Sequence, residues 1–367
     1  EEKAKKEKEE GEKKEEKKEG EKKEGEKKEE EKKEEKKENE ELDELEFYHG
    51  NLLDDELKSL MPRKGDFILR MTINVMATIF WNDIIVNKKL SAKLLKKNRI
   101  AYTFDEKTIK TTIKDLLQKH TTGTPICIKE ESPIMLLNPI AKQAWELRGE
   151  SVELIKKLGE GAFGEVRGKR RERKRKMSRA MNVAVKVIKK TANNEKATTE
   201  LQKEGSLMRK FKHENVVRTF GMVIERDTIM VVMELIQGGG LNDFVKKNQV
   251  SMEEKASFAH DIANGLAYIH SLNCIHRDIA CRNCLIDIAK RQAKVSDFGL
   301  TRQTEKYKIL GNERIPIRWI APEVLKTYEY TREADIYAYG ILVWEIVADG
   351  AIPYGTSSNQ EIKEGIQ

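Results

Sequence analysis

His276-Arg277-Asp278-Ile279-Ala280-Cys281-Arg282-Asn283 is the stretch that decides how this chain is read. Four fixed residues (His276, Arg277, Asp278 and Asn283), at about one in twenty each, coincide by chance roughly six times per million starting positions. Asp297-Phe298-Gly299 follows 14 residues after Asn283, and Ala321-Pro322-Glu323 closes the segment. Asp278 is placed to accept a hydroxyl proton. Asn283 and Asp297 offer the hard oxygen donors that a divalent cation bridging phosphates requires.

Working upstream, Gly159-Glu160-Gly161-Ala162-Phe163-Gly164-Glu165-Val166 is a glycine-rich loop. Its glycines let backbone N–H groups approach phosphate oxygens. Alone it is weak: such a spacing also suits a tight hairpin turn. The flanking pattern is strand–turn–strand, which disfavours the dinucleotide-binding reading, where a strand leads into a helix. Val183-Ala184-Val185-Lys186 then puts a lysine on a strand, a point charge suited to phosphates. Glu204 falls on the next helix, where it can hold that ammonium.

Periodicity gives the frame. Val152–Gly159 and Glu165–Lys169 read as paired strands, and Asn182–Lys190 alternates with Val183, Val185 and Val187 on one face. Glu195–Lys210 reads as a helix. Ser251-Met252-Glu253-Glu254 is a capping box ahead of a stripe formed by Phe258, Ile262, Leu266 and Ile269. Tyr337–Ala348 is apolar nearly all round, as in a helix buried within a large lobe, with Gly350 as its cap. A β-rich half followed by a helical half predicts two lobes and a cleft. Before them, Asp54–Met61 reads as a short helix, Pro62–Gly65 as a turn, Asp66–Arg70 and Ala77–Trp81 as strands, and Thr108–His120 as a helix.

Residues 151–367 resemble a eukaryotic protein kinase domain. The resemblance implies a bilobal fold, ATP and Mg2+ as cofactors, and Lys186, Glu204, Asp278 and Arg282 as the catalytic set, with Asn283 and Asp297 on the metal. Arg282, four residues after Asp278, and Ile315–Trp319 resemble the tyrosine-specific members, so protein tyrosine is the implied substrate. The nucleotide would contact Gly159, Gly161, Gly164, Val166, Ala184, Lys186 and Leu285. Met233 would be the gatekeeper, and Glu234 to Ile236 the hinge. Tyr307 is where an activation-loop phosphosite belongs. Complete domains of this kind continue with further helices, so the chain is expected to be truncated at its C-terminus. An exposed face on the Tyr337–Ala348 helix and a partly buried Glu323 without its partner would follow.

Residues 47–139 resemble a Src-homology-2 domain, a central antiparallel sheet flanked by two helices, which makes the whole an α+β protein. Phe47-Tyr48-His49-Gly50 looks like its opening, and Phe67-Ile68-Leu69-Arg70 like its phosphate-binding strand. Arg70 would grip phosphotyrosine, with Thr72 assisting. Two departures stand out: Asp54 occupies a place where such domains carry a second arginine, and the histidine common on the fourth strand has no counterpart between Val86 and Phe104. The arrangement resembles the Fes/Fer group of non-receptor tyrosine kinases, with residues 140–150 as linker.

Charge is unevenly spread. Residues 1–40 hold 19 Glu and 16 Lys, net −3, against net +10 for the rest, which sums to the overall +7. Residues 1–46 therefore form a low-complexity tail, either disordered or a solvated single helix supported by Glu-to-Lys pairs. No run approaches the roughly 18 apolar residues of a membrane span, and the tail lacks the apolar centre of a signal peptide. Four cysteines argue for a reducing compartment and against a disulfide framework, so the cytoplasm is the expected location. Cys281-x-x-Cys284 lacks a second pair and reads as structural rather than zinc-binding. Arg167–Arg179, with nine Lys/Arg, reads as a solvated loop, with peripheral association with anionic membrane or nuclear targeting as lesser readings. Trp145 reads as a packing residue in the linker. The chain begins at Glu1 rather than Met, as a fragment or processed product would. The predicted partners are tyrosine-bearing substrates and phosphotyrosine proteins, not nucleic acid. The rival reading is a catalytically silent adaptor, which an ATP-dependent assay on an acidic tyrosine peptide separates from a kinase.

Overall fold

Alternation in Val183-Ala184-Val185-Lys186-Val187-Ile188 requires a strand covered on both faces, and that strand organises the larger part of the molecule. In the computed structural model, which describes residues 38, 40–72, 74–95, 99–129, 132–159, 165–170, 181–191, 194–225, 227–311, 313 and 315–366, the chain forms two compact units, residues 1–143 and 144–367.

In the first unit, helix α1 (Asp54–Leu60) precedes an antiparallel meander of β1 (Asp66–Met71), β2 (Val75–Trp81) and β3 (Ile84–Lys89), with β8 (Asn138–Pro139) added parallel to the outer edge of β1. Two small hairpins, β4–β5 (Ser91–Leu95 and Arg99–Thr103) and β6–β7 (Cys127–Lys129 and Ser132–Ile134), lie outside that sheet. Every residue of β1 is buried. The second helix, α2, spans Ile113–Thr121 and so starts five residues later than its apolar spacing predicts. The cause is local side-chain chemistry. The Asp105 carboxylate accepts the Lys107 and Thr108 amides at 3.0 and 2.7 Å and turns the chain there. Thr112 then caps the helix, accepting the Asp115 amide at 3.1 Å.

The core of this unit reaches into the segment expected to be tail. Leu42 is fully buried among Phe67, Ile113 and Leu116, and the Glu41 carboxylate accepts the Ile113 amide at 3.0 Å.

In the second unit, a six-stranded sheet runs β10 (Val152–Gly159), β11 (Glu165–Arg170), β12 (Met181–Lys189), β14 (Thr228–Glu234), β13 (Thr219–Ile224), β9 (Glu146–Leu147). Val183, Val185, Val223 and Val232 fill one face of it. The other face meets helix α3 (Glu195–Met208) through Ile188, Val231, Leu201 and Met208. The expected linker is thus partly sheet: β9 pairs parallel to β13, and the Trp145 carbonyl accepts the Met222 amide at 2.8 Å. Gly221, at φ +155°, permits this approach, because a Cβ there would lie 2.2 Å from the Trp145 oxygen. Trp145 itself packs under the Arg209 guanidinium, 3.8 Å from its ring centre.

The helical half follows. Helix α4 spans Leu241–Lys247, and α5 (Met252–Ser271) buries Phe258, Ile262, Leu266 and Ile269 as its stripe predicts. Ser251 caps α5, accepting the Glu254 amide at 3.2 Å, while the Glu254 side chain pairs with Arg291 instead of closing the box. Hairpin β16–β17 (Cys284–Asp287 and Gln292–Val295) lies against α5. After helix α6 (Pro322–Thr327) comes α7, spanning Arg332–Val347. This helix is not buried all round: Ile336, Trp344 and Val347 are exposed along one side. Glu323 is exposed rather than partly buried. Gly350, at φ +74°, donates to the Glu345 carbonyl at 2.8 Å and ends the helix as expected.

The first unit owns a complete core, so residues 38–143 expressed alone should melt cooperatively in urea. Starting at Phe47 instead removes Leu42 and the Glu41 cap, and should lower that stability by about 2–5 kcal/mol. Equal midpoints for the two pieces would contradict this.

Candidate active site

The strand register brings the polar residues together. Lys186 stands opposite Val231 on one side and Glu165 on the other, on the face that looks toward α3. Its ammonium donates to Glu204 Oε1 at 2.7 Å and Asp297 Oδ1 at 3.3 Å. Burial works against the charged lysine, but the two carboxylates outweigh it and hold the ammonium above its ordinary value. Burial would likewise raise Asp297. The Lys186 charge and hydrogen bond, with help from His276 and the Gly299 amide, hold it below the usual carboxylate range. Asp297 sits at φ +58° with its side chain half exposed, while Phe298 is buried between Phe211 and His276, at ring distances of 5.0 and 5.1 Å.

Asp278 and its neighbours come from the loop before β16. Arg282 donates to Asp278 Oδ1, and the Asn283 amide nitrogen donates to Asp278 Oδ2 at 2.7 Å and to its carbonyl at 2.8 Å. The amide nitrogen is therefore engaged, and the side-chain oxygen is the Asn283 atom that would serve a cation. Cys284 pairs with Val295, so Asn283 and Ser296 are neighbours, and both the Ser296 amide and hydroxyl donate to the Asn283 carbonyl, at 2.9 and 2.8 Å. That register sets Asn283 beside Asp297. A half-exposed, ionised carboxylate next to a free amide oxygen is a donor set that suits a hard divalent ion.

The loop is held from behind by α7. Asp335, fully buried, accepts the His276 and Arg277 amides at 2.7 and 2.8 Å, and lies 2.9 Å from His270 Nε2. Glu345 accepts the Cys281 amide at 3.0 Å and the Trp319 indole N–H at 2.8 Å. Arg282 stacks on that indole at 4.1 Å. Neither carboxylate was singled out in the sequence. The available signal was a pair of acids inside an otherwise apolar helix, which calls for buried partners. Cys281 and Cys284 are buried free thiols, raised by burial and so unreactive. Among the described residues, no group of three or more His, Cys, Asp or Glu could hold a metal ion.

Around the expected nucleotide site, Ala184 pairs with Met233 across β12 and β14, and Leu285 bridges to Gly240. The Glu234 side chain takes no part in that face. Its Oε1 accepts the Arg218 amide at 2.7 Å and the Lys294 ammonium at 2.9 Å, so only the backbone of Glu234 and Ile236 is left for a base. Gly159 ends β10 opposite Glu165, and the Val166 backbone pairs with Val185. Gly161, Gly164 and most of the basic Arg167–Arg179 run lie outside the described residues. Tyr307 packs on the Arg277 guanidinium, 3.8 Å from its ring centre, and donates to Glu313.

In the first unit, Arg70 is buried. It donates to Thr78 Oγ1 at 2.9 Å, to the Leu52 carbonyl at 3.1 Å and to Asn87 Oδ1 at 3.5 Å, and Asp54 Oδ1 lies 2.6 Å from its Nη1. Thr72 does not join this cluster through its hydroxyl, which donates to the Asn74 carbonyl at 3.1 Å. Thr78 and Asn87 take that place. They are cross-strand partners, and Thr78 also faces Ile68, a register that becomes readable only once the meander is known.

An ammonium–carboxylate pair under a six-stranded sheet, an aspartate–asparagine loop and a metal-suited carboxylate after the next hairpin together define a protein kinase. Residues 152–367 match the family model described as protein tyrosine and serine/threonine kinase. The chain is 35% identical over 322 residues to Fer-related kinase 1 of Caenorhabditis elegans, covering 86% of this chain and 80% of that protein. It is 34% identical to Tyrosine-protein kinase Fer of Homo sapiens over 89% of this chain and 39% of the relative. It is 33% identical to the tyrosine-protein kinase transforming protein Fps of avian sarcoma virus, over 88% and 59%. The chain belongs to the protein kinase family, as a protein-tyrosine kinase with Fer and Fps homologues, and the family implies ATP and a divalent metal.

Asp335→Asn should lower the stability of the second unit by about 3 kcal/mol, because one acceptor of a buried set becomes a donor facing donors. Denaturant melts of the full chain check this; an unchanged second transition would contradict the anchoring role.

Proposed function

We propose that this chain transfers the ATP γ-phosphoryl group to tyrosine hydroxyls of proteins, in the cytoplasm, and that its first unit is a Src-homology-2 module that targets it to phosphotyrosine. The observation that carries the kinase half is the joining of Lys186 to both Glu204 and Asp297, which brings the β-rich lobe and the metal-suited carboxylate together. That same joining disfavours a silent adaptor. ATP supplies the γ-phosphoryl and Mg2+, the divalent ion proposed here, offsets its charge. Lys186 orients phosphate oxygens, Glu204 orients Lys186, and Asn283 and Asp297 would hold the metal. Asp278 accepts the tyrosine hydroxyl proton, with Arg282, braced on Trp319, positioning it. Beyond these roles the protein supplies alignment and charge. Among the described residues no helix is long and apolar enough to cross a membrane.

Asp278→Asn should leave ATP binding intact and remove most transfer, because the proton acceptor is lost while the nucleotide contacts stay. Lys186→Met should weaken phosphate positioning instead. Turnover of Asp278→Asn close to wild type, with ATP binding measured in parallel, would overturn the assignment.

For the first unit, Arg70 among Thr78, Asn87 and the Leu52 carbonyl supports a phosphate seat, and Asp54 is a rival anion on it. Phosphopeptide binding should be weak and lost in Arg70→Ala. Asp54→Arg should tighten it by about ten-fold or more, since a charge-assisted hydrogen bond contributes about 1.5–3 kcal/mol. Calorimetric titration showing binding indifferent to Arg70 would remove this half of the reading.

A further inference from the structure

A cavity of about 470 Å3 opens in the second unit where the loop after α3, the start of β13, the end of β14 and the β16–β17 hairpin meet. None of Lys186, Glu204, Asp278, Asn283 or Asp297 lines it. Its wall is cationic: Arg209, Lys212, Arg218, Lys290 and Lys294 stand against two carboxylates, Glu214 and Glu234. Those carboxylates leave much of the charge unmatched. Glu234 Oε1 is engaged by the buried Lys294 ammonium at 2.9 Å and the Arg218 amide at 2.7 Å. Glu214 Oε2 accepts the Gln292 side-chain amide at 3.3 Å, a neutral donor. Lys212 and Arg218 have no carboxylate at ion-pair distance among the described residues, and Lys290 has a loose one, Asp287 Oδ2 at 3.9 Å. Two neutral donors share the wall. His213 Nδ1 accepts the Asn215 amide at 3.1 Å, so the proton of the neutral ring belongs to Nε2. The Thr219 hydroxyl has no hydrogen-bond partner among the described residues. The aromatic rings present are already engaged, Phe211 with Phe298 at 5.0 Å and His213 stacked on Tyr268 at 4.8 Å.

We infer that this cavity binds a small, multiply phosphorylated anion without an aromatic base, an inositol polyphosphate by chemical class, held by Lys212, Arg218 and Lys290 with His213 and Thr219 as neutral donors. A hollow lined by one sign of charge focuses its field on whatever enters. Its volume lies within the roughly 300–1,000 Å3 of small-molecule sites, which suits a compact ligand. The three cations come from three separate stretches of chain, an arrangement that several phosphates spread around a ring match better than one phosphate does. Arg218 brings a planar fork for paired phosphate oxygens, and the two lysines bring point charges. With its rings engaged, the wall offers charge and hydrogen bonds in place of a stacking face, which disfavours a nucleotide. A ligand held this way ties the loop after α3 to the β16–β17 hairpin, and binding to the folded state alone raises the melting temperature. The inference comes from the wall of the cavity and does not depend on phosphoryl transfer.

The test titrates inositol hexakisphosphate into the full chain by calorimetry, at physiological salt and without ATP or divalent ions, with thermal melts and hydrogen exchange read in parallel. The probe should raise the melting temperature and slow exchange of the 209–219 and 287–294 backbone. Arg218→Ala and Lys290→Ala, each shown by its melt without probe to be folded, should weaken binding by at least about five-fold. Lys246→Ala combined with Lys247→Ala removes two exposed charges from α4, outside the cavity, and should leave binding unchanged, as should Lys186→Met. Vesicles of phosphatidylcholine containing phosphatidylinositol 4,5-bisphosphate separate the two sources of such a ligand. Sedimentation with the vesicles that is lost in Arg218→Ala assigns a lipid headgroup. Calorimetric binding without sedimentation assigns a free polyphosphate, and either result supports the site. Binding that survives both cavity substitutions, or falls equally in the α4 variant, would place the anion on the general basic surface and overturn the inference. Loss of binding in Lys186→Met would move the anion to the nucleotide site, and no binding of either probe would leave the cavity without this role; both outcomes overturn it as well.

Discussion

The catalytic loop exists in its observed shape because Asp335 is buried beneath it. Its carboxylate accepts two consecutive amides, from His276 and Arg277, and the second belongs to a residue at φ +72°. A non-glycine residue in that region is strained, and two charge-assisted hydrogen bonds hold it there. The turn in the backbone sends the Arg277 side chain toward Glu313 and leaves Asp278 to meet Arg282 and Asn283. Glu345 lies ten residues further along the same helix, a rise of about 15 Å. It repeats the device on the Cys281 amide and the Trp319 indole. One helix thus carries two fixed acceptors, and the catalytic loop is suspended between them. A helix so apolar on its other positions supplies the rigidity that such anchors need.

A second pairing ties the lobes of this unit together. Lys186 belongs to the sheet, Glu204 to α3 and Asp297 to the end of the β16–β17 hairpin. An ammonium between two carboxylates is satisfied only when all three elements are in register. The aromatic column Phe211–Phe298–His276 supports the same alignment through apolar contact, and it links the segment after α3 to the loop that Asp335 holds. Polar and apolar connections therefore run in parallel between the sheet that carries Lys186 and the loop that carries Asp278, and neither alone has to carry the alignment.

The local motifs were legible because their chemistry is written in consecutive residues. Lys186 reaches Glu204 and Asp297, Asn283 reaches Asp278, and the strands and stripes around them fall where alternation puts them. What the sequence hid were partners chosen by the tertiary fold. Glu313, Asp335 and Glu345 sit 36, 58 and 64 residues from the groups they hold, and a lone acid on a helix or loop announces no partner. Thr78 and Asn87 depend on hairpin register in the same way. The late start of α2 had a different cause: Asp105 and Thr112 offer the backbone local hydrogen bonds that compete with the helix, and apolar periodicity does not register that competition. Glu234 shows a third limit. Its place at the end of a strand was readable, but the engagement of its side chain with Lys294 and the Arg218 amide was not.

The two units share a feature that neither sequence motif suggests. In each, an arginine is buried and paired with a carboxylate of the chain, Arg70 with Asp54 and Arg277 with Glu313. The physical reason is the same in both. A guanidinium removed from water needs an anion continuously, and an internal carboxylate supplies one. Any other anion reaching either arginine would have to displace that carboxylate, so its net gain would be the difference between two pairings and not the strength of one. The two pairs differ in their access to water. The Asp54 side chain is 81% exposed, so water can receive it at little cost, whereas that of Glu313 is 24% exposed and also holds Tyr307. The Arg70 pair is therefore the looser of the two, while the Arg277 pair is locked by burial and by the tyrosine together.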